Sequence, residues 1–108
     1  MKFIVNNQEW ELVFVKPNSK NLMRSDGTIT IGMTDNNTKT VYINNRLHSY
    51  MADKVLAHEL CHVFCFSYEI YMPIEQEEYL ADWISRYGRE LVYLLDSLMQ
   101  ILKKAYIA

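Results

Sequence analysis

The sequence predicts one α+β domain, in which a small, mostly antiparallel N-terminal sheet precedes two or three helices. The chain has 108 residues, the length of one domain, and 50% of them are hydrophobic, which is enough to bury a core. Strand-like runs occupy residues 1–45, and from Leu47 onward the apolar period changes from two to about 3.6. A single domain over 1–108 therefore divides into a sheet region at 1–45, a first helix at 47–68 and further helices at 75–105.

Four short runs rich in Val, Ile, Phe, Tyr and Thr predict the strands. They are Phe3–Val5, Trp10–Val15, Thr28–Met33 and Thr40–Ile43. Turn residues separate them, because Asn and Asp tolerate left-handed backbone angles. The segments at 6–8 and 34–37 are therefore predicted to be hairpin turns, and 17–27 a longer surface loop.

The second half of the chain predicts helices whose ends are marked by specific residues. The first helix covers 47–68, and Pro73 then breaks the chain. A second helix begins at about Glu75, in a Glu-rich stretch that suits the positive end of a helix dipole. Gly88 marks a kink or an end before a last helix at Arg89–Ala105.

Charge and hydropathy argue against several binding partners and cellular locations. The formal net charge is -2 and no basic run is present, so we expect no direct contact with nucleic acid. The N-terminal apolar run ends at Asn6, too early for a signal peptide, and no apolar stretch reaches the length of a membrane span. We therefore expect a cytoplasmic protein, with no membrane contact, in which Cys61 and Cys65 are buried and reduced.

The segment from His58 to His62 reads His-Glu-Leu-Cys-His, an HExxH motif that falls inside the predicted first helix. Positions i and i+4 of a helix share a face, so two imidazoles can reach one zinc ion at about 2.0 to 2.1 Å. Glu59 is turned by about 100° from His58 and can contact a water beside the metal without being a ligand. The motif predicts His58 and His62 as metal ligands and Glu59 as the catalytic general base.

A hydrolytic zinc site needs a third protein ligand, and the second helix supplies candidates. Glu78 follows His62 by sixteen residues, and an antiparallel second helix brings its first turn back beside the histidines. Asp82 shares the helical face of Glu78, so it is predicted to accept the outer N–H of a ligand histidine. Glu77 is expected to point elsewhere, while Glu75 lies close to the stripe of Glu78 but at the start of the helix.

At these residues the sequence resembles the zincin metallopeptidases of the gluzincin type, in which HExxH is followed on a later helix by E-x-x-x-D. More closely, it resembles the ImmA/IrrE group of small bacterial and phage-associated metallopeptidases, which have HELxH and then E-x-E-A-N-x-F-A. Residue-by-residue matching places the family's glutamate ligand on Glu78 and its alanine on Ala81. The chain departs from the pattern at Leu80, Asp82 and Ile84, which stand for Glu, Asn and Phe.

The resemblance covers about Thr40 to Ser85 and implies a zincin-like fold with zinc-dependent hydrolysis of a protein or peptide substrate, often a transcriptional repressor. It also implies that a strand near Thr40–Ile43 borders the cleft and pairs with extended substrate, whereas an interior strand is an equal alternative for this segment. The alternative function is a catalytically weak, zinc-stabilised protein-binding module that sequesters a regulator. A third hypothesis makes Cys61 and Cys65 a redox switch.

Two further features leave alternatives open. An oxyanion donor is needed in such sites, and the candidates are Tyr68, Tyr71 and His48, although His48 fits a helix cap better. The apolar residues of the last helix cover a stripe that is too wide for one-sided packing, so a homodimer through this helix is one expectation. They lie at positions 91, 92, 94, 95, 98, 99, 101, 102 and 105.

Overall fold

A four-stranded mixed sheet and three α-helices form residues 1–106, the part of the chain that the computed structural model describes. The sheet comes first and the helices follow, so the predicted α+β class is confirmed. The strands are β1 (Lys2–Val5), β2 (Gln8–Val15), β3 (Gly32–Asp35) and β4 (Thr40–Asn44), and the helices are α1 (Ser49–Ser67), α2 (Ile74–Trp83) and α3 (Arg89–Ala105).

The strands lie in the order β1-β2-β4-β3. The pairs β1–β2 and β3–β4 are antiparallel, whereas β2 and β4 are parallel. Strand β4 is paired on both sides, so the interior alternative holds for Thr40–Ile43 and the substrate-pairing edge implied there is wrong. The edge that lies against α1 belongs to β3 instead.

The third strand begins and ends later than predicted. It covers Gly32–Asp35 instead of Thr28–Met33, and the turn that follows occupies 36–39 instead of 34–37, with Lys39 at a φ of 53°. The reason is local: the preceding segment folds over the buried Leu22, where the Thr30 amide donates to the Leu22 carbonyl at 2.8 Å. The β-branched residues before Gly32 thus belong to a loop, in which Ile29 forms an isolated bridge with Met23.

One face of the sheet packs against α1 and forms the main core. Trp10, Val41 and Ile43 from the sheet meet Val55 and Val63 from the helix. Val55 and Val63 are eight residues apart and so share one helical face. The histidines of the motif lie beside this buried face, on the side of α1 that turns toward α2.

The C-terminal end of α1 is fixed by the β1–β2 hairpin. The side-chain amides of Asn6 and Gln8 donate to the Ser67 carbonyl at 2.9 and 3.3 Å. The buried Trp10 indole N–H donates to the Ser67 hydroxyl at 2.9 Å. Asn6 and Asn7 have φ values of 48° and 62°, as a two-residue hairpin turn requires, which confirms the turn predicted there.

A tight turn returns the chain from α1 to α2. Glu69 has a φ of 53°, and the Ile70 amide donates to the Cys65 carbonyl at 2.8 Å, which closes the end of the helix. Cys61, Cys65 and Ala81 then pack together, and both thiols are free and buried, as predicted. Burial and, secondarily, the neighbouring Cys65 raise the pKa of Cys61 to about 12, so its thiol stays protonated at neutral pH.

Helix α2 continues into α3 through a π-helical segment at Ile84–Gly88, so Gly88 does not end a helix. The guanidinium of Arg89 lies 2.7 Å from the Asp53 carboxylate and attaches the start of α3 to α1. No residue of α3 is buried. Among residues 1–106, no helix is both long and apolar enough to cross a membrane.

Replacing Ser67 with Ala tests the link between the hairpin and α1. The substitution leaves the buried Trp10 N–H without its partner, so the free energy of unfolding should fall by about 1 to 3 kcal/mol. Urea denaturation measures the change. The control is Ser97→Ala, which removes a hydroxyl on exposed α3 and should change stability by less than about 0.5 kcal/mol. An equally small effect for Ser67→Ala would show that the hydrogen bond from Trp10 to Ser67 does not stabilise the link between the hairpin and α1.

Candidate metal centre

Helix α1 presents His58 and His62 side by side, with ring centroids 5.0 Å apart. The Nε2 atoms of both rings face the Glu78 carboxylate, at 3.1 Å for His58 and 3.0 Å for His62. One donor atom from each of these three residues lies within 4.8 Å of the others. The structure therefore brings together the three residues that the sequence predicts as ligands, although their role as ligands remains a prediction.

The other ring nitrogens are also held by carboxylates. Asp82 Oδ1 lies 2.9 Å from His58 Nδ1, which is the placement that the shared face of Glu78 and Asp82 predicts. Glu77 Oε2 accepts a hydrogen bond from His62 Nδ1. A carboxylate at Nδ1 of each ring favours the tautomer with the proton on Nδ1, which leaves the Nε2 lone pairs free to face a common metal ion.

The expectation that Glu77 points away from the site is wrong. Its side chain is buried and contacts His62, because Glu77 and Ala81 share the face of α2 that packs against α1. Ala81, which is fully buried, was the available signal: a small residue at this spacing marks the contact face of a helix. Glu75 is exposed and, within residues 1–106, contributes no ion pair or side-chain hydrogen bond to the site.

Glu59 lies between α1 and the edge strand β3. It is buried, and its Oε1 accepts a hydrogen bond from the Thr34 hydroxyl at 2.8 Å. Burial raises the pKa of Glu59, while the Thr34 hydrogen bond and the two imidazoles partly offset that rise. A carboxylate with a raised pKa in this position is a stronger proton acceptor than an exposed one.

Gly32 allows the close approach of β3 to Glu59. A Cβ atom at this position would lie 2.6 Å from Val55 Cγ1 and 3.2 Å from Glu59 Cγ, so no larger side chain fits without movement. Neither Gly32 nor Thr34 was singled out from the sequence. Their part in the site depends on the register of β3, which local patterns placed incorrectly.

The site opens into a cleft of about 590 Å³ beside His58 and Glu59. Its outer walls carry three cations, Arg24, Lys54 and Arg86. Arg24 donates to the Thr30 hydroxyl and Lys54 to the Ser85 carbonyl, both at 3.3 Å. Within residues 1–106 none of the three forms an ion pair with a carboxylate.

The residues weighed as oxyanion donors lie elsewhere. His48 caps α1, where its Nδ1 accepts a hydrogen bond from the Met51 amide at 3.3 Å. Tyr68 and Tyr71 are exposed and do not line the cleft of 590 Å³. Tyr50 does line it, with the Lys54 ammonium 4.9 Å from the centre of its ring.

Two imidazole nitrogens and one carboxylate are a donor set that suits a catalytic zinc ion, because it leaves a fourth position open. Four carboxylates, those of Glu59, Glu77, Glu78 and Asp82, surround the two rings. A divalent cation between the Nε2 atoms would offset this negative charge. The residues present therefore fit a metal ion.

The fold and this site define a metallopeptidase-like domain. A family model described as the IrrE N-terminal-like domain, of the M78 peptidases, matches residues 13–101. The chain belongs to this family, which confirms the resemblance drawn from the motifs and extends it beyond Thr40–Ser85. Comparisons with curated proteins and with solved structures gave no significant match.

Replacing Asp82 with Ala tests whether its carboxylate holds the His58 ring in place for metal binding. Loss of the carboxylate frees the His58 ring, so zinc affinity should fall by roughly 10 to 100-fold, as measured by competition with a chromogenic chelator. Glu75→Ala, a carboxylate removed from the exposed start of the same helix, is the matched control and should bind zinc like the unsubstituted protein. Glu78→Ala should lose more affinity than Asp82→Ala. Unchanged affinity in Asp82→Ala would remove Asp82 from the site.

Proposed function

We propose that the protein is a zinc-dependent endopeptidase that hydrolyses peptide bonds of a protein substrate. The observation that carries the proposal is the convergence of His58 Nε2, His62 Nε2 and Glu78 beside a buried carboxylate, Glu59, that is not part of that group. Membership of a peptidase family supports the same class of reaction.

His58, His62 and Glu78 would hold the metal, and Asp82 and Glu77 would keep the two rings in the tautomer that leaves Nε2 free. The chemistry supplied by a zinc ion at this position is Lewis acidity, toward water and toward the scissile carbonyl. The other roles proposed below fall to side chains and main-chain groups of this chain.

Glu59 is the general base. It takes a proton from the attacking water as the water oxygen adds to the carbonyl carbon, and it delivers that proton to the leaving nitrogen as the C–N bond breaks. The Thr34 hydroxyl fixes the orientation of the carboxylate, and burial keeps its pKa above the usual range of glutamate. The hydrogen bond thus orients the proton-accepting oxygens, and burial makes the carboxylate a stronger base.

Strand β3 offers the substrate an edge. The Asn44 amide donates to the Ile31 carbonyl at 3.0 Å, and bonded and outward residues alternate along an antiparallel pair. The main-chain groups of Gly32 and Thr34 therefore point to the free edge of the sheet, and both residues line a smaller hollow beside His58 and Glu59. An extended peptide can pair there with little demand on its side chains.

The carboxylates that line the cleft belong to the candidate metal site, and the cations that line it lie outside that site. These cations indicate which peptides fit. Arg24, Lys54 and Arg86 have no carboxylate partner within residues 1–106, so acidic side chains on either side of the scissile bond would meet unpaired cations. We therefore propose a substrate segment that is extended and acidic. A transcriptional repressor with such a segment is the candidate that the family resemblance suggests, and the two free thiols fit a cytoplasmic setting.

A second candidate is a zinc-stabilised protein-binding module that hydrolyses little and sequesters a regulator. The openness of the site favours it, since the side chains of Glu78 and Asp82 are 49% and 62% exposed. Few walls then surround a bound peptide, and fewer contacts can be made in the transition state alone.

Replacing Glu59 with Gln separates the two candidates. The amide keeps the shape and can still accept from Thr34, but it is not a base. Zinc content, measured by elemental analysis, should persist, while peptide hydrolysis should fall by about 10² to 10⁴-fold. Loss of zinc would make Glu59 a ligand. A biological effect that survives Glu59→Gln would favour the binding module.

The acidic-substrate proposal is tested by binding, in the zinc-loaded Glu59→Gln protein, so that the peptide stays intact. Arg24→Gln and Arg86→Gln should each weaken binding of a fluorescent Asp- and Glu-containing peptide by about two- to fivefold, as measured by anisotropy. Arg46→Gln, an exposed arginine outside the cleft, is the matched control. A second peptide, in which Asn and Gln replace Asp and Glu, is measured in the same way. Equal losses of binding for the two peptides would show that the cleft cations do not select charge.

A further inference from the structure

Helix α3 carries an apolar stripe that its own domain does not cover. On a helical wheel the stripe falls within an arc of about 120°. Its side chains are strongly exposed, with Leu94 at 57%, Leu98 at 48% and Ile101 at 60%. The stripe consists of Leu91, Leu94, Leu95, Leu98, Ile101, Leu102 and Ala105.

The rest of the domain lies on the opposite side of α3. Arg89 pairs with Asp53 of α1, and Val92, Tyr93 and Asp96 line the groove between α3 and α1. These positions are turned by roughly 100 to 200° from Leu91 on the wheel. The stripe therefore faces away from the domain, and nothing within residues 1–106 covers it.

The spacing and the apolar area of the stripe fit a second copy of the same helix. Leu91, Leu94, Leu98, Ile101 and Ala105 alternate steps of three and four residues, which is the a/d pattern of paired helices. The area also fits. Six half-exposed Leu and Ile side chains offer on the order of 500 Å² of apolar surface per copy. A standard interface buries about 800 Å² per partner, of which about 60% is apolar.

We propose that two copies of the chain pair through α3 in antiparallel orientation, around a two-fold axis. With Leu91 opposite Ile101 and Leu94 opposite Leu98, Glu90 of one copy lies beside Lys104 of the other, and symmetry makes this contact twice. A parallel pair would instead place Lys103 and Lys104 of both copies side by side and would align the two helix dipoles. The charge pattern therefore selects the antiparallel pair.

The first test measures mass against concentration by sedimentation equilibrium of the full chain. We expect a reversible dimer of the 12.8 kDa chain. Leu98→Glu places a charge at the centre of the stripe and should reduce association by at least about 100-fold. Gln100→Glu makes the same change in charge on the opposite face of α3 and is the matched control. Zinc binding and circular dichroism of both variants should match the unsubstituted protein, which shows that the fold is intact.

The second test examines the register. Glu90→Lys and Lys104→Glu should each weaken the dimer by about tenfold, and the double variant should restore it. Restoration is expected only for the antiparallel pair, so its absence would overturn the proposed orientation. A chain that stays monomeric at all concentrations would overturn the dimer. If that monomer binds vesicles of anionic phospholipid through α3, the stripe contacts a membrane surface instead.

Discussion

The structure depends on the contact between two imidazoles of α1 and three carboxylates of α2. His58 meets Glu78 and Asp82, and His62 meets Glu77 and Glu78. Both helices must run antiparallel and lie within hydrogen-bonding distance, which only small residues at the contact allow. Ala81 of α2 packs against the two cysteine side chains of α1, and larger residues there would separate the rings from the carboxylates.

The same helix faces the sheet, and this second contact sets the chemistry of Glu59. A site made only from helices would leave this carboxylate in water, with an ordinary pKa. Strand β3 covers it because Gly32 has no side chain, and Thr34 then donates to it. Packing of the sheet against Val55 and Val63 thus controls both the burial of the Glu59 carboxylate and the distance of the β3 edge from the histidines.

Local patterns predict the parts of this site that a single helix contains. The motif at 58–62 and the pair Glu78 and Asp82 follow from i, i+4 geometry, and the helix bounds depend on Pro73 and on apolar period. The parts that escaped prediction involve two elements at once. Thr34 enters through the register of β3, which residues near it in sequence do not set. Glu77 enters through the face on which α2 packs, for which the small Ala81 one turn away is the only local signal.

Metal binding and helix packing must be linked in this domain. Four carboxylates around two imidazoles repel one another, so the α1–α2 contact without a cation carries an electrostatic cost. A cation would bind only when His58, His62 and Glu78 converge, and by mass action it would then stabilise that contact. The stripe of α3 faces away from these residues, so pairing through it shares no side chain with the metal centre. Association and metal binding are therefore expected to be energetically independent.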